Sequence, residues 1–515
     1  MKPADRPRWL LAGVICFVVV TVIICHERYL AGGDPANLAL AVKYGMDLGQ
    51  ERLHAPGYPF FVLAWRFVSS ATGMSTHETM LTLNLILAVA SIVVLWKLVR
   101  KLFDERTAAL ACATMALNPL FLYFACISET YIFDALFSVG AFLLIFRASE
   151  KRSLVGWFMI GLLGGFRISS VVLMTPVLLI VQQIEHGRND ILKRAARSLA
   201  ALLLGVAVWG IPFLLTVPLG DSIHELFAST ALHRTSFLQS EATCLTYLFW
   251  TFNLWIVLLV WKARQFRQVI KGPLGVALVV WIAIPLTFFF FVYYAKGYAL
   301  LIWPSMAILL ARISLDSNKV VWRLFPALAI AFSISIFFLT PFVEPRTNLQ
   351  TSDQRPFLQR IRALEARSLS HFLLALSKIR KADQDFADCT NLIRRVGASQ
   401  RLLFIDGSAN TWIFPKALML AFPSDTFITV NAAGNGTVKF YHSASTIDKY
   451  PTDSLDVTNA FLLWQDTRTL QSVGKEVGAQ LARVSYFGIY EFSDPKAFLK
   501  AISFHAQAPP SSRPQ

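Results

Sequence analysis

Eleven stretches of the chain run apolar for long enough to suit a bilayer core, near residues 9–25, 79–97, 107–124, 130–146, 154–166, 169–183, 198–217, 245–261, 273–292, 298–314 and 324–341. A span needs about 20 such residues. The pattern predicts a polytopic α-helical membrane protein with about 11 spans, and 58–72 reads as an added re-entrant or interfacial helix. Past residue 342 the pattern changes. Asp353 to Val396 is charged with apolar residues at helical spacing, and Arg401–Asp406, Thr426–Val430, Ala460–Trp464 and Ser485–Phe492 read as strands, with a helix over Thr411–Leu420. The expected domains are a transmembrane module over 1–341 with its first outer loop at 26–78, a small α/β domain over 342–506, and a Pro/Ser-rich disordered tail over 507–515.

One polar interruption stands out, from Gly32 to Pro59. Asp34-Pro35 is a helix start, because the Asp oxygens accept first-turn amides and Pro is preset for the first helical position. Leu38, Val42 and Met46 then recur at helical spacing, so Pro35 to Leu48 is expected as an amphipathic helix along a membrane face. His54-Ala55-Pro56-Gly57-Tyr58-Pro59 breaks that helix, since residues before Pro favour extended geometry. Irregular backbone beside a bilayer survives only where protein or water covers it, so this turn is expected to floor a cavity. The plainer alternative makes Asp34 a helix cap and His54 a satisfied turn histidine.

Composition agrees with a membrane protein: 55% of the 515 residues are hydrophobic and 16% charged. The net charge of +16 would point to nucleic acid in a soluble protein. Here, with the N-terminus inside, 21 Lys and Arg fall in inner segments against six in outer segments before the tail. That bias fits the orientation rule and excludes nucleic acid as the partner. It puts Asp34, His54 and the C-terminal domain on the outer face, the periplasmic side if the membrane is a bacterial inner membrane. The apolar run from Trp9 to Cys25 lacks a clear cleavage site and reads as a retained first span. None of the six cysteines has disulfide-framework or zinc-type spacing.

Charges within apolar spans are costly and tend to be functional, and four positions qualify: Glu129, Asp134, Arg167 and Lys296. Arg167 needs an anionic partner, either a carboxylate such as Glu129 or a bound anion. Lys296 has an ordinary reading as an interfacial lysine. A phosphate would satisfy Arg167 and Lys296 together. Asp34 then suits a general base that takes a proton from an acceptor hydroxyl, with the two cations stabilising a departing phosphate.

With these residues in place, the chain resembles the GT-C membrane glycosyltransferases, closest to the branch related to protein O-mannosyltransferases. The features that carry the resemblance are Asp34, the His54-Ala55-Pro56-Gly57-Tyr58-Pro59 stretch, Glu129 with Tyr131, the Gly161, Gly164, Gly165, Arg167 series, and Lys296, Tyr298 and Pro304. It covers roughly 8–341. The resemblance implies inverting transfer of a sugar from a polyprenyl-phosphate donor to a protein, glycan or lipid acceptor. Asp34, His54 and Glu129 would be the catalytic group, with Asp34 the base. Arg167, Lys296 and Tyr298 would bind the donor phosphate, and Asp47, Glu51, Tyr58 and Tyr131 would line the acceptor side or the cavity. The branch usually carries a second acid shortly after its first Asp, where this chain has Asn37, and Ala55 and Arg167 also depart from its pattern. These departures keep Asp47 and Glu51 open as sharers of the base role. No metal site or cofactor is expected beyond the lipid donor, and assistance of Asp34 by a divalent metal stays open. Two other classes compete: a transporter or flippase of a lipid-linked or anionic substrate, disfavoured because no repeated halves are visible, and a scaffold presenting the tail domain.

Overall fold

The computed structural model describes residues 6–46, 58–186, 190–216, 237–291, 297–315, 320–342, 373–397, 401–406, 415–430, 438–442, 445–447, 460–464, 477–484 and 487–492. By contacts the chain divides into two units, Met1–Glu27 with Ala55–Ile379 and Arg28–His54 with Arg380–Gln515.

The first unit is helical: α1 (Arg6–Cys25), α3 (Pro59–Thr72), α4 (Thr76–Leu102), α5 (Glu105–Ala116), α6 (Pro119–Ala125), α7 (Ile132–Ile145), α8 (Glu150–Leu163), α9 (Ile168–His186), α10 (Ile191–Thr216), α11 (Phe237–Phe252), α12 (Trp255–Trp261), α13 (Ala263–Val269), α14 (Pro273–Phe291), a 3-10 turn at Tyr298–Leu301, α15 (Trp303–Leu315) and α16 (Val320–Leu339). Local chemistry sets the starts. Ser75 and Glu78 form a reciprocal capping box on α4, and Asp104 accepts the amides of Arg106 and Thr107 at 2.8 and 3.0 Å on α5.

Each of the eleven expected spans has helix at its position, but the count of eleven is not upheld. Among the described residues, five helices are long and apolar enough to cross a membrane, or seven if each of two bent pairs is one span. The bends have a cause. Between α5 and α6 the axis turns 64°, where Pro119 lacks an amide and Asn118 accepts from Leu120 at 2.9 Å. The turn of 86° before α12 falls at Asn253, whose backbone is left-handed (φ 37°) and whose side chain donates to Ser333 Oγ at 2.9 Å. Residues 130–146, 298–314 and 324–341 hold the shorter apolar helices Ile132–Ile145, Trp303–Leu315 and Leu324–Leu339. Helices α8 and α10 approach closely at Gly161 and Gly205, where an added Cβ would lie 2.0 Å from Leu202 O and 2.1 Å from Phe158 O respectively.

The second unit contains α2 (Gly33–Tyr44), most of α17 (Leu376–Arg395), β1 (Leu402–Asp406), α18 (Pro415–Ala421), β2 (Thr426–Val430), β3 (Val438–His442), β4 (Ser445–Ile447), β5 (Ala460–Trp464), β6 (Val477–Val484) and β7 (Phe487–Phe492). The strands form one sheet in the order β4-β3-β2-β1-β5-β7-β6, with β2, β1 and β5 parallel and the rest antiparallel. Leu403, Ile405, Phe427 and Leu463 pack on Phe386, Leu392 and Ile393 of α17 and on Leu418 of α18. Arg401 ties this core together, reaching Asp425 Oδ2 at 2.8 Å and Ile393 O at 2.5 Å.

Helix α2 corrects one expectation. It spans Gly33 to Tyr44 rather than Pro35 to Leu48, its N-cap is Gly32, and Asp34 lies in its first turn. Pro35, Ala36, Leu38, Ala39, Leu40, Ala41 and Val42 are all buried, and Ala36 and Leu40 join the core formed with α17 and α18. An apolar helix face takes whatever apolar surface is offered, and here a protein core supplies it.

Candidate functional site

Four segments of the first unit converge on Arg167. Helix α8 ends at Leu163, a Gly164-Gly165-Phe166 turn follows, and α9 starts at Ile168, so Arg167 leaves from a helix junction. Its side chain is 2% exposed, and its charge is met by one carboxylate, one hydroxyl and three rings. Nε lies 3.0 Å from Asp134 Oδ1, and Nη1 donates to Thr130 Oγ1 at 2.8 Å. Three tyrosine rings surround the guanidinium: its Cζ is 4.1 Å from the ring centre of Tyr131, 5.4 Å from that of Tyr298 and 5.7 Å from that of Tyr58. Such ring faces attract a cation, more so when water is excluded. Asp134 also accepts a hydrogen bond from Ser170 Oγ, in the first turn of α9.

The rings are themselves fixed. Tyr131 packs on Phe124 at 5.0 Å and on Tyr298 at 5.9 Å, and Tyr298 stacks on Phe289 of α14 at 5.5 Å. Gly297 makes room for this, because a Cβ there would lie 2.2 Å from Tyr131 Cγ. Tyr58 immediately precedes α3, and the next helix residue but one, Phe60, donates its amide to Gly165 O at 2.9 Å. Gly165 permits that approach, since its Cβ would meet the Phe60 ring at 2.8 Å.

A second polar group supports the segment before α7. Asn84 Nδ2 donates to the carbonyls of Ile127 and Glu129 at 2.7 and 2.8 Å. Glu27 accepts the Ser128 amide at 2.8 Å and the Ser128 hydroxyl, with His77 Nε2 3.3 Å away. The Glu129 side chain is half-buried.

The structure therefore brings together Tyr58, Tyr131, Arg167 and Tyr298, four residues picked out from sequence. It corrects the partner of Arg167: the counter-ion is Asp134, not Glu129. Thr130, just before α7, and Asp134, in its first turn, both reach Arg167, which a list of charges cannot reveal. Thr130, Ser170 and Asn84 gave no sequence signal beyond being polar in an apolar setting. In the second unit, Asp34 is exposed at the start of α2. Asn37 Oδ1 is buried without a hydrogen bond among the described residues. Asp47, Glu51, His54 and Lys296 lie outside the described residues, as do 353–372 and 507–515. Among the described residues no group of three or more His, Cys, Asp and Glu side chains is arranged to hold a metal.

A helical membrane unit carrying a buried, tyrosine-walled arginine and, in the same chain, a separate α/β unit define a class of fold, and comparison with known proteins gives that class a name. The structure is similar to ArnT from Cupriavidus metallidurans bound to undecaprenyl phosphate, with a TM-score of 0.60 at 12% identity over 93% of this chain and 97% of that one. It is similar to the apo state of the same protein at a TM-score of 0.59 and 13% identity, over 94% of this chain and 97% of that one. Residues 54–215 match the family model for dolichyl-phosphate-mannose-protein mannosyltransferase. No curated protein sequence matches the chain. The chain has the GT-C fold, and the resemblance to the protein O-mannosyltransferase branch is upheld.

Proposed function

We propose that this protein is an inverting glycosyltransferase that moves a sugar from a polyprenyl-phosphate donor to an acceptor at the outer face of the membrane. The observation that carries the reading is the buried Arg167 cluster, in a chain whose fold follows that of ArnT nearly end to end. The neighbour's complex with undecaprenyl phosphate supports a lipid-phosphate donor. The likeness to a transferase gives no support to the transporter alternative.

In this reading the acceptor hydroxyl attacks the anomeric carbon of the donor sugar. The new carbon–oxygen bond forms as the bond to the phosphate oxygen breaks, and the electron pair leaves with the lipid phosphate. Asp34 takes the hydroxyl proton, with His54 and Glu129 completing the catalytic group. Arg167, Lys296 and Tyr298 receive the phosphate. Because Asp134 already balances Arg167, that pair offers hydrogen-bond donors more than net charge, and Lys296 is assigned the net positive charge. Asp47, Glu51, Tyr58 and Tyr131 belong to the acceptor side or cavity. Removing a general base typically costs about 10²–10⁴-fold in rate. Asp34→Asn in proteoliposomes, supplied with a polyprenyl-phosphate hexose, should abolish transfer while leaving the unfolding temperature unchanged. Wild-type turnover in that variant would refute the base assignment. Mass spectrometry of glycans and lipid-linked sugars in cells with and without the protein identifies the sugar and acceptor.

A further inference from the structure

Asp383 lies on α17 and is 5% exposed. Its Oδ1 accepts two backbone amides, from Arg28 at 2.7 Å and Tyr29 at 3.2 Å, and its Oδ2 is 3.2 Å from Arg380 Nη1. These amides open the stretch that leads into α2, where no helix is present to satisfy them. Just beyond, the Tyr29 ring packs on Phe386 at 5.5 Å, one turn further along α17. Ala31, Ala36 and Leu40 then enter the core with Cys389, Leu392 and Leu418. The chain that bears Asp34 is thus pinned before its helix by a charge on two amides and along its helix by an apolar face. Asp34 itself remains exposed, in the first turn between these two anchors.

We propose that Asp383 is a positioning residue for sugar transfer. It anchors the first-loop helix to the C-terminal α/β domain, so that the domain serves as the mount of the catalytic base. The inference rests on the reading of Asp34 as the base. Asp383 acts through the backbone of residues 28 and 29, not on the substrate. A shift of about 1 Å in a reacting group can cost about 10²-fold in rate, so a loosened mount is expected to appear in kcat.

The test uses the full chain in proteoliposomes and compares Asp383→Ala, Asp383→Asn and Asp425→Ala. Asp425 holds Arg401 elsewhere in the same domain and serves as a control for simple destabilisation. Asp383→Ala is expected to lower kcat about tenfold or more, with KM for the lipid-linked donor within about twofold. Asp383→Asn recovers part of the loss, because its carboxamide oxygen still accepts the amides. Asp425→Ala lowers the unfolding temperature and leaves kcat per folded molecule unchanged. Hydrogen exchange gives a readout independent of activity: in Asp383→Ala the amides of Leu38 to Val42 exchange faster while those of α18 do not. Unchanged exchange across α2 overturns the proposal, as does a parallel loss of turnover and stability in Asp383→Ala and Asp425→Ala. If the wild-type protein transfers no sugar, the transferase reading fails by itself, and the exchange measurement still decides whether Asp383 anchors the helix.

Discussion

Arg167 Nε sits 3.0 Å from Asp134 Oδ1, with both side chains 2% exposed, and this pair joins the start of α7 to the junction between α8 and α9. A buried ion pair contributes little net stability, yet losing one partner leaves an uncompensated charge. The pair is therefore a constraint on geometry more than a source of energy.

Removing Asp134 alone is the sharpest test of that constraint. Asp134→Ala is expected to destabilise the protein by about 3–5 kcal/mol, read as a lower unfolding temperature in detergent. Pairing Asp134→Leu with Arg167→Met should restore most of the stability while leaving transfer abolished. If Asp134→Ala keeps both stability and turnover, the ion pair has no structural role.

Gly297 provides a second test, because the Tyr131 ring occupies the space that a side chain there would need. An added Cβ would lie 2.2 Å from Tyr131 Cγ, so Gly297→Ala must displace the ring that stacks on Arg167. Overpacking of this kind costs about 1–3 kcal/mol. Adding Tyr131→Ala should return the stability but not the turnover, a coupling that a double-mutant cycle measures directly. Additive losses in the cycle would show that the two positions are independent.

The second unit can be probed through Cys389, which is buried in its core. Burial, with the carboxylates of Asp385 and Asp388 adding to it, pushes this thiol well above its ordinary range. A raised pKa keeps the group protonated as pH rises, and the thiol form is the unreactive one. Maleimide labelling at Cys389 should therefore stay slow from about pH 7 to about pH 9 in the folded protein and become fast in denaturant. Rapid labelling of the native protein would contradict the packing around α17.

Much of the site was visible in the chain before folding was considered. Arg167 stood out as a charge in an apolar run, and Tyr58, Tyr131 and Tyr298 stood beside motif residues. The strands at Thr426–Val430 and Ala460–Trp464 also fall where alternation and turn residues put them. What escaped was pairing. Glu129 is the carboxylate the sequence offers Arg167, and only the folded chain selects Asp134, in the first turn of α7. Span continuity escaped for a related reason. Asn118-Pro119 and Asn253 look like minor interruptions of apolar runs, yet their side chains meet the hydrogen-bond demand of a broken helix and so make the bend tolerable.

Hydrophobic periodicity, helix caps and the asymmetry of basic residues act over a few neighbouring positions, so the amino-acid order alone was enough to specify a helical membrane chain with a polar first loop and a later α/β segment. The mate of each apolar face and each buried charge was settled by folding. Asp383 holds the amides of Arg28 and Tyr29 across more than 350 residues, and Leu40 of α2 shares a core with Leu418. Contacts that distant leave no periodic trace in the chain, because they depend on shape and burial in three dimensions.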